Sequence, residues 1–344
     1  MNGYERIRAA LEGRWPDRRP VMLHNFMAAA REAGVKMAQF RRDPQALAQS
    51  FIQAVETYGY DGVVVDVDTA TLAGAVGVPI DFPEDLPARS AAPLLSRIEE
   101  ASDLPPADIR HYLGVQVWLE GTRRLVRYFG DEIFVRGNCD QAPFSLACCM
   151  RGIENWMLDI HDEACRGDVQ RLLSYTTNVV GQFLTAMAET GAHMLSNGDS
   201  LAGPELISPG LFHELAWPAE QEIARLARQL GRPYALHVCG KANRILADLA
   251  ATGAGAIELD QRTDVKQVRD VFGDRVTFIG NLDPSAVLYH GTPALVEQKT
   301  RELLTAFAGN PRLIVNAGCA IAAGTPPENL RALIHEVARF GTDA

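Results

Sequence analysis

The sequence lacks a long apolar run and a surplus of basic charge. No stretch approaches the roughly 20 consecutive apolar residues that a membrane-spanning helix needs. Charges are spread through residues 1–20, so the start of the chain has no apolar segment typical of a signal peptide. The 33 lysine and arginine residues are outnumbered by 43 acidic residues, giving a net charge of −10, which excludes the basic footprint of a nucleic-acid-binding protein. We therefore expect a cytoplasmic protein with no membrane or nucleic-acid partner.

Cysteine is scarce, and glycine-rich phosphate loops are missing. Six cysteines in 344 residues, at positions 139, 148, 149, 165, 239 and 319, do not form the pattern of a disulfide framework in a chain of this size, so metal binding or catalysis is the favoured use. No GxGxxG motif follows the first predicted strand, and there is no internal repeat or low-complexity linker. These absences favour a single domain over residues 1–344.

Short β-rich runs alternate with longer amphipathic runs along the whole chain. Eight of the short runs have strand character, at residues 20–25, 62–68, 133–139, 193–199, 234–240, 255–260, 275–281 and 312–319. Eight strands alternating with helices predict an α/β protein with a (β/α)8 barrel; an open doubly wound sheet is the alternative.

Two further segments lie outside this regular alternation. Residues 1–19 predict an N-terminal helix that either covers the bottom of the barrel or mediates a homodimer. The segment 69–132 is too long for a plain crossover between strands, so we expect it to be an insertion after the second strand.

Each predicted strand begins apolar and gains polar residues at its C-terminal end. In a barrel these ends converge on one mouth, where the active sites of this fold lie. Burying so many polar groups without a ligand, water or metal is costly, so the pattern predicts a functional site at the mouth. The candidate substrate-binding residues are Asn25, Asn138, Asn197 and Asn281, and the candidate catalytic residues are Asp68, Asp199 and Asp260.

Three of these strand-end residues form a candidate metal site. His237 and Cys239 end the fifth strand, where alternate residues point to the same face, and Cys319 ends the eighth. One imidazole and two thiolates suit Zn2+, and three protein ligands leave one position open, as in catalytic zinc sites. A His-x-Cys pair alone is a weak signal, because free cysteine is common in protein cores. Cys319, among the small residues of "NAGCAIAAG", strengthens the zinc interpretation.

The neighbouring acidic residues have two alternative roles. Glu258 and Asp260 share a face of the neighbouring strand, and either, Glu258 above all, is a candidate fourth zinc ligand; either could instead be a hydrogen-bonding partner of His237 behind the metal. Of the other cysteines, Cys139 lies at the predicted mouth and stays an open candidate. The rest are expected in a helix core (Cys148, Cys149) or on an exposed helix (Cys165).

Four motifs in the second half of the chain resemble the uroporphyrinogen decarboxylase superfamily, and within it the branch of zinc-dependent methyltransferases that act with methylcorrinoid. They are "NGDSLAGPELISPGLF", "HVCGKANRILADL", "FIGNLDP" and "NAGCAIAAGTPPENL". The resemblance extends over nearly the whole chain and is densest from residue 134 onwards. It implies a (β/α)8 barrel, in agreement with the strand count.

The sequence departs from the decarboxylase branch at two motifs. The stretch after the first strand is "HNFMAAAREAG", in which Arg31 stands without the paired arginines that bind substrate carboxylates in the decarboxylases. Cys319, in "GCAI", stands where the decarboxylases have a histidine. The methyltransferase branch instead uses a His-x-Cys…Cys zinc motif, and His237, Cys239 and Cys319 match all three of its positions.

The resemblance implies a zinc-dependent methyltransferase that moves a methyl group between a corrinoid (methylcobalamin) carrier and a small thiol or methylated substrate, in the demethylating direction if the substrate is the donor. The carrier is expected on a separate corrinoid-binding protein. Asp68 lies near the position of the decarboxylases' catalytic aspartate and could position substrate instead. Two alternatives remain: a decarboxylase of a tetrapyrrole or another acid, and a non-catalytic corrinoid- or metal-binding scaffold.

Overall fold

A parallel sheet forms the centre of the protein. The computed structural model describes residues 1–340. Over that range the strands are β1 (Gly62–Val65), β2 (Ile80–Asp81), β3 (Arg89–Ser90), β4 (Phe134–Gln141), β5 (Met194–Gly198), β6 (Tyr234–Val238), β7 (Ala256–Leu259), β8 (Thr277–Leu282) and β9 (Leu313–Ala317). Seven of them pair in parallel in the order β1-β4-β5-β6-β7-β8-β9, while β2 and β3 form a separate antiparallel hairpin.

The segment around Val21 lies between the two edge strands, β9 and β1. Val21 forms a parallel bridge with Val315, and the Val315 amide donates to the Pro20 carbonyl at 2.9 Å. On the other side, the Asp61 amide donates to the Val21 carbonyl at 2.9 Å. The predicted strand 20–25 thus occupies the eighth position of the barrel but contributes one bridge rather than a full strand, in part because Pro20 has no amide hydrogen to donate. The predicted (β/α)8 barrel is confirmed, and the open-sheet alternative is wrong.

Helices surround the barrel. Over residues 1–340 they are α1 (Gly3–Glu12), α2 (Phe26–Glu32), α3 (Met37–Phe40), α4 (Pro44–Tyr58), α5 (Thr71–Ala75), α6 (Leu113–Phe129), α7 (Pro143–Arg151), α8 (Ile153–Asp159), α9 (Arg166–Ala188), α10 (Pro209–Leu211), α11 (Trp217–Gln229), α12 (Leu246–Ala251), α13 (Val265–Phe272), α14 (Pro293–Ala306) and α15 (Pro327–Phe340). Short 3-10 turns cover Ile98–Asp103, Glu163–Cys165 and Ala242–Ile245, and π-helical turns cover Phe212–Ala216 and Pro284–Tyr289. None of the helices in this range is long and apolar enough to cross a membrane.

Several strands end earlier or later than predicted. The strand predicted at 62–68 ends at Val65, and the strand predicted at 312–319 ends at Ala317, so Asp68 and Cys319 lie in the loops that follow. The strand predicted at 133–139 continues to Gln141, with an irregular register between Asn138 and Gln141. The functional residues therefore come from loops as well as from strand ends.

The segment 69–132 contains several elements. The helix α5 and the β2–β3 hairpin, in which Ile80 pairs with Ser90, come first, followed by the 3-10 turn Ile98–Asp103. The last element, α6, packs against α4, β4 and α9 in the position of an ordinary barrel helix. Within the predicted insertion 69–132, the elements that are extra to a regular barrel are therefore those that precede α6.

The interior of the barrel is arranged in layers. Inward-facing apolar side chains form a floor that helix α1 covers from below: Ile7, Ala10, Met22, Val64, Phe134, Met194, Ala235, Ala256, Ile279 and Ile314. Alternate residues of a strand share a face, so residues two positions further along these strands form the next layer. That layer is polar and includes Arg136, His237 and Glu258, all at most 8% exposed.

Asp61 connects the N-terminal region to the start of β1. Its carboxylate accepts from Arg6 Nη1 at 3.0 Å, from Arg18 Nη1 at 2.7 Å and from the Val21 amide at 2.8 Å. The Asp61 side chain is 2% exposed. One buried carboxylate thus holds helix α1, the Arg18 segment and the closing bridge together.

We predict that Asp61→Ala lowers the free energy of unfolding by about 3 kcal/mol, because in a largely buried position it leaves Arg18 without its carboxylate partner and Arg6 with Asp17 as its remaining one. Urea unfolding followed by circular dichroism measures the change. Asp81→Ala is the matched control, because its ion pair with Arg89 is exposed and such pairs contribute less than about 1 kcal/mol. Equal small effects in the two variants would contradict the role given to Asp61.

Candidate metal centre

His237, Cys239 and Cys319 converge at the mouth of the barrel. One ligand atom from each lies within 4.8 Å of the other two, and His237 Nε2 is 3.1 Å from Cys239 Sγ. His237 is the fourth residue of β6, and Cys239 follows the end of that strand by one residue. Cys319 lies two residues beyond the end of β9. The chain therefore brings together a nitrogen and a sulfur from the end of β6 and a second sulfur from the loop after β9.

The turn after Cys239 is held by the loop that follows β7. Gly240 has a φ of 82°, a conformation that costs glycine little, and its amide donates to Asp260 Oδ2 at 3.0 Å. The Thr263 hydroxyl donates to the Gly240 carbonyl at 3.0 Å. Asp260 also accepts from Arg262 Nη2 at 2.8 Å. The structure thus places Asp260 behind the Cys239 turn, where it fixes the path of the backbone.

The position of Cys319 depends on a close approach of two backbones. A Cβ atom on Gly318 would lie 2.4 Å from the Gln261 nitrogen, so a larger residue would push the loop away. The Gly318 amide donates to the Leu282 carbonyl at 2.7 Å. Small residues around Cys319 are therefore a steric requirement of the loop that carries the third ligand.

A buried chain of charged groups lies behind His237. Glu258 Oε1 is 3.5 Å from His237 Nδ1, and Glu258 Oε2 pairs with Arg136 Nη1. Arg136 Nε donates to Ser196 Oγ at 2.8 Å. The 3.5 Å contact is longer than a good hydrogen bond, and neither of its two atoms has another partner.

This placement favours one of the two roles considered for Glu258. The carboxylate faces Nδ1, on the side of the imidazole away from Cys239, and its second oxygen is engaged by Arg136. It is therefore placed to orient His237 and to select the tautomer with a free Nε2, as carboxylates behind metal-bound histidines do. Glu258 is also not part of the group whose ligand atoms lie within 4.8 Å of one another, which disfavours a role as fourth ligand.

The protonation of the three groups reflects their mutual contact. Burial alone would lower the pKa of His237, but the adjacent Cys239 sulfur and the Glu258 carboxylate raise this pKa to about 9. The hydrogen bond between the two cysteines lowers the pKa of Cys239 and raises that of Cys319. Without a metal, the site thus holds one thiolate, one thiol and one imidazolium at neutral pH.

The donor set fits zinc. Imidazole with two thiolates is a soft combination that zinc accepts in tetrahedral geometry, leaving a fourth position. His237 Nδ1 and Glu258 Oε1, both buried and without a hydrogen-bond partner, would pair once Nε2 is committed to a cation. Ser200 Oγ lies 3.4 Å from Cys239 Sγ, so one sulfur also has a hydroxyl neighbour.

A cavity opens in front of these ligands, with an empty volume of about 770 Å³ including the space open to solvent at its mouth. His237, Cys319 and Glu258 lie on one part of its wall. Carboxylates of the first half of the chain line the other part: Asp66, Asp68 and Asp140. Besides His237, the basic groups on the wall are Arg136 and His24, and His24 Nε2 lies 2.5 Å from Asp66 Oδ2. The cavity is thus acidic, and its basic groups face carboxylates.

The four asparagines predicted to bind substrate have different positions. Asn138 lines the cavity. Asn197 donates to the Cys139 carbonyl at 2.6 Å, and Asn281 donates to the Asp260 carbonyl at 3.1 Å. Asn25 is buried and precedes helix α2. The structure therefore brings Asn138 to the site and uses Asn197 and Asn281 to hold backbone.

The two other predicted catalytic aspartates also differ. Asp68 lines the cavity, whereas Asp199 is fully buried and accepts from the Ser145 amide at 2.8 Å and its hydroxyl at 2.6 Å. Burial raises the pKa of Asp199 to about 6, and that of its neighbour Glu220 well above the usual range. Cys139, the open candidate, is fully buried as well. Asp199 and Cys139 are not among the residues that line the cavity.

Arg136, Asp140 and Ser200 line the site but were not predicted from the sequence. Arg136 had a recognisable signal, because a lone arginine inside an apolar strand needs a buried acidic partner. Asp140 has a φ of 60°, a conformation uncommon for non-glycine residues. Ser200 is one residue past the predicted strand 193–199, inside the motif "NGDSLAGPELISPGLF", but the motif alone did not assign it a role.

Comparison with known proteins gives three related results. A family model described as uroporphyrinogen decarboxylase (URO-D) matches residues 2–340. The methylcobamide:CoM methyltransferase MtaA of Methanosarcina barkeri is 25% identical over 96% of this chain and 95% of its own length. A uroporphyrinogen decarboxylase of Syntrophotalea carbinolica is 28% identical over 89% of this chain and 87% of its own length.

Among solved structures, a methyltransferase from Methanosarcina mazei superposes with a TM-score of 0.89 at 22% identity, covering 99% of both chains. At this identity the similarity establishes the fold. The similar proteins thus include two different activities, and the residues of the site have to distinguish between them.

We predict near-stoichiometric zinc in the purified protein and its loss in Cys319→Ala, because two remaining ligands cannot form a tight site. Metal content is measured by plasma mass spectrometry after dialysis. Cys165→Ala, at the end of the 3-10 turn Glu163–Cys165, is the matched control and should retain the metal. A wild-type protein that is metal-free and resists zinc loading would contradict the assignment.

We also predict that zinc affinity rises with pH below about 9. Binding requires neutral His237 and a Cys319 thiolate, whereas the metal-free site holds protons on both because their pKa values are raised. Each proton released strengthens binding roughly tenfold per pH unit. Calorimetric titration in buffers of different ionisation enthalpy counts the protons released. Zinc binding without proton release would show that the ligands are already deprotonated.

Proposed function

The chain belongs to the uroporphyrinogen decarboxylase family, and within that family we propose that it is a zinc-dependent methyltransferase. It would move a methyl group between a corrinoid carrier and a small thiol or methylated substrate. The observation that carries the proposal is the convergence of His237, Cys239 and Cys319 beside an open cavity that His237 and Cys319 line.

The methyltransferases among the similar proteins support this assignment. The expectation of an enzyme that transfers methyl groups is confirmed in kind, because curated relatives matching this chain are named methyltransferases. Their names specify a methylcobamide as one reactant. We extend that feature to this chain, with the corrinoid held by a separate binding protein that docks at the barrel mouth.

Zinc held by His237, Cys239 and Cys319 would act as a Lewis acid at its open position, lowering the pKa of a substrate thiol or polarising a methylated oxygen or sulfur. The chain's own residues have three supporting tasks. Glu258 orients the His237 ring from behind, and the loop held by Asp260 positions the Cys239 sulfur. The His24–Asp66 pair on the cavity wall is placed to accept the proton that a thiol loses.

The decarboxylase alternative fits the cavity less well. A tetrapyrrole bearing several carboxylates needs several free cations, whereas Arg136 pairs with Glu258 and His24 with Asp66. The remaining charged groups on the wall are aspartates, which would repel such a substrate. The paired arginines of the decarboxylases are also missing from the sequence after the first strand position.

We predict that the zinc-loaded protein demethylates methylcobalamin in the presence of a small thiol, and that activity falls to background in the zinc-free protein and in Cys239→Ala. The reaction is followed by the loss of the methylcobalamin absorbance under anaerobic conditions and by mass spectrometry of the methyl thioether. Cys165→Ala again provides the control.

Two outcomes would favour the alternatives. Release of carbon dioxide from uroporphyrinogen by metal-free protein would support a decarboxylase. Stoichiometric zinc without methyl exchange, for any thiol and with free or protein-bound corrinoid, would support a binding scaffold.

A further inference from the structure

Two carboxyl groups lie side by side on the cavity wall, at the start of helix α5. Asp68 Oδ1 accepts from the Thr71 amide at 2.8 Å and from the Thr71 hydroxyl at 2.9 Å. Asp140 Oδ2 accepts from the Leu72 amide at 2.6 Å. Because Thr71 and Leu72 are consecutive, the two side chains are fixed next to each other, although 72 residues separate them in sequence.

Each of the two carboxyl groups leaves one oxygen without a partner. Asp68 Oδ2 and Asp140 Oδ1 are buried and make no hydrogen bond, and the two residues are 0% and 2% exposed. Adjacent buried carboxylates repel each other, and an unpaired buried charge is costly. Burial raises the pKa of both groups, and the Asp68 charge raises that of Asp140 further. The two free oxygens therefore need a positively charged or neutral hydrogen-bond donor, and the protein does not provide one.

The charge of the buried Arg41 acts on Asp68 through space, but its guanidinium donates to the Leu86 and Pro83 carbonyls and makes no hydrogen bond to these oxygens. Among the basic groups of the wall, Arg136 and His237 face Glu258, and His24 faces Asp66. The site is also not built for a metal. Over residues 1–340, the one group of three or more His, Cys, Asp or Glu side chains with ligand atoms within 4.8 Å of each other is the zinc triad. The occupant is therefore expected to be larger than a metal ion and to be part of a molecule that enters the cavity.

We propose that Asp68 and Asp140 form a subsite for a positively charged nitrogen of the small substrate, which would therefore be an amine-bearing thiol or its methylated form. This rests on the proposed function, because it assumes that the sulfur or methyl group of the same molecule faces the His237, Cys239 and Cys319 ligands across the cavity. An ammonium group would donate to both free oxygens, and an anionic thiol would be disfavoured by the acidic wall.

Asparagine substitutions test the subsite without removing its structural contacts. In Asp68→Asn the retained carbonyl oxygen still accepts from the start of α5, and only the charge is lost. Asp140→Asn is equally conservative, because asparagine tolerates the positive φ found there. Asp264→Asn is the matched control, since Asp264 caps α13 through the Gln267 amide at 2.9 Å and lies outside the cavity lining.

The experiment compares two-carbon thiols that differ only in their head group: cysteamine (ammonium), 2-mercaptoethanol (neutral) and 2-mercaptoethanesulfonate (anionic). Binding to zinc-loaded protein is measured by calorimetry. We expect cysteamine to bind about ten- to a hundredfold more tightly than 2-mercaptoethanol, the range typical of a hydrogen bond to a charged group. Asp68→Asn and Asp140→Asn should each abolish this preference, whereas Asp264→Asn should keep it.

The same titration with 2-(methylthio)ethylamine and 2-(methylthio)ethanol, which have no thiol, separates the two proposals. One outcome is that no thiol binds the metal, while 2-(methylthio)ethylamine still binds more tightly than 2-(methylthio)ethanol and loses this advantage in Asp68→Asn and Asp140→Asn. In that case the proposed function fails and the subsite stands. Equal or tighter binding of the neutral or anionic compounds overturns the subsite. So does an amine preference that persists in both variants.

Discussion

The pairing of Glu258 with Arg136 and His237 is the constraint on which the site depends. The three side chains belong to β7, β4 and β6 and meet inside the barrel, where they are 1%, 2% and 8% exposed. A buried charge without its partner costs several kcal/mol, so none of the three can be replaced independently. Because Arg136 holds Oε2 of Glu258, Oε1 is left to face Nδ1 of the imidazole. Glu258 is thereby placed to keep the proton on Nδ1 and to leave Nε2 free for a metal.

The site combines a rigid part and a part that depends on loops. His237 and its supporting charges lie on strands, between the apolar floor of the barrel and its mouth. The two cysteines lie past the ends of β6 and β9, in turns stabilised by Asp260, Gly240 and Gly318. The sulfur ligands are thus positioned by backbone contacts between neighbouring loops, which explains why acidic and glycine residues cluster around them.

The barrel and the three candidate metal ligands could be predicted from the sequence, whereas contacts between residues far apart in the chain could not. Strand alternation identified the barrel and placed His237 beside Cys239, because side-chain direction has a period of two. The same period, counted from the apolar floor residues Met194 and Phe134, would have assigned Asn197 and Cys139 to the outer face. Arg136, on the inner face, was not predicted because its buried partner Glu258 lies 122 residues later in the chain. The contact between Asp68 and Asp140 could not be foreseen, since it depends on where a five-residue helix sits after β1.

The apolar floor under the polar layer gives the cavity a closed end. Helix α1 covers the barrel from below, and Asp61 fixes that helix to the strands. A ligand therefore cannot enter or leave through the bottom of the barrel. If the proposed corrinoid carrier docks at the mouth, a small molecule that occupies the depth of the chamber would have to enter before the carrier covers that opening, and it could leave only after the carrier does. Kinetics in such a protein would be ordered by shape alone, with the small molecule binding first and its product leaving last.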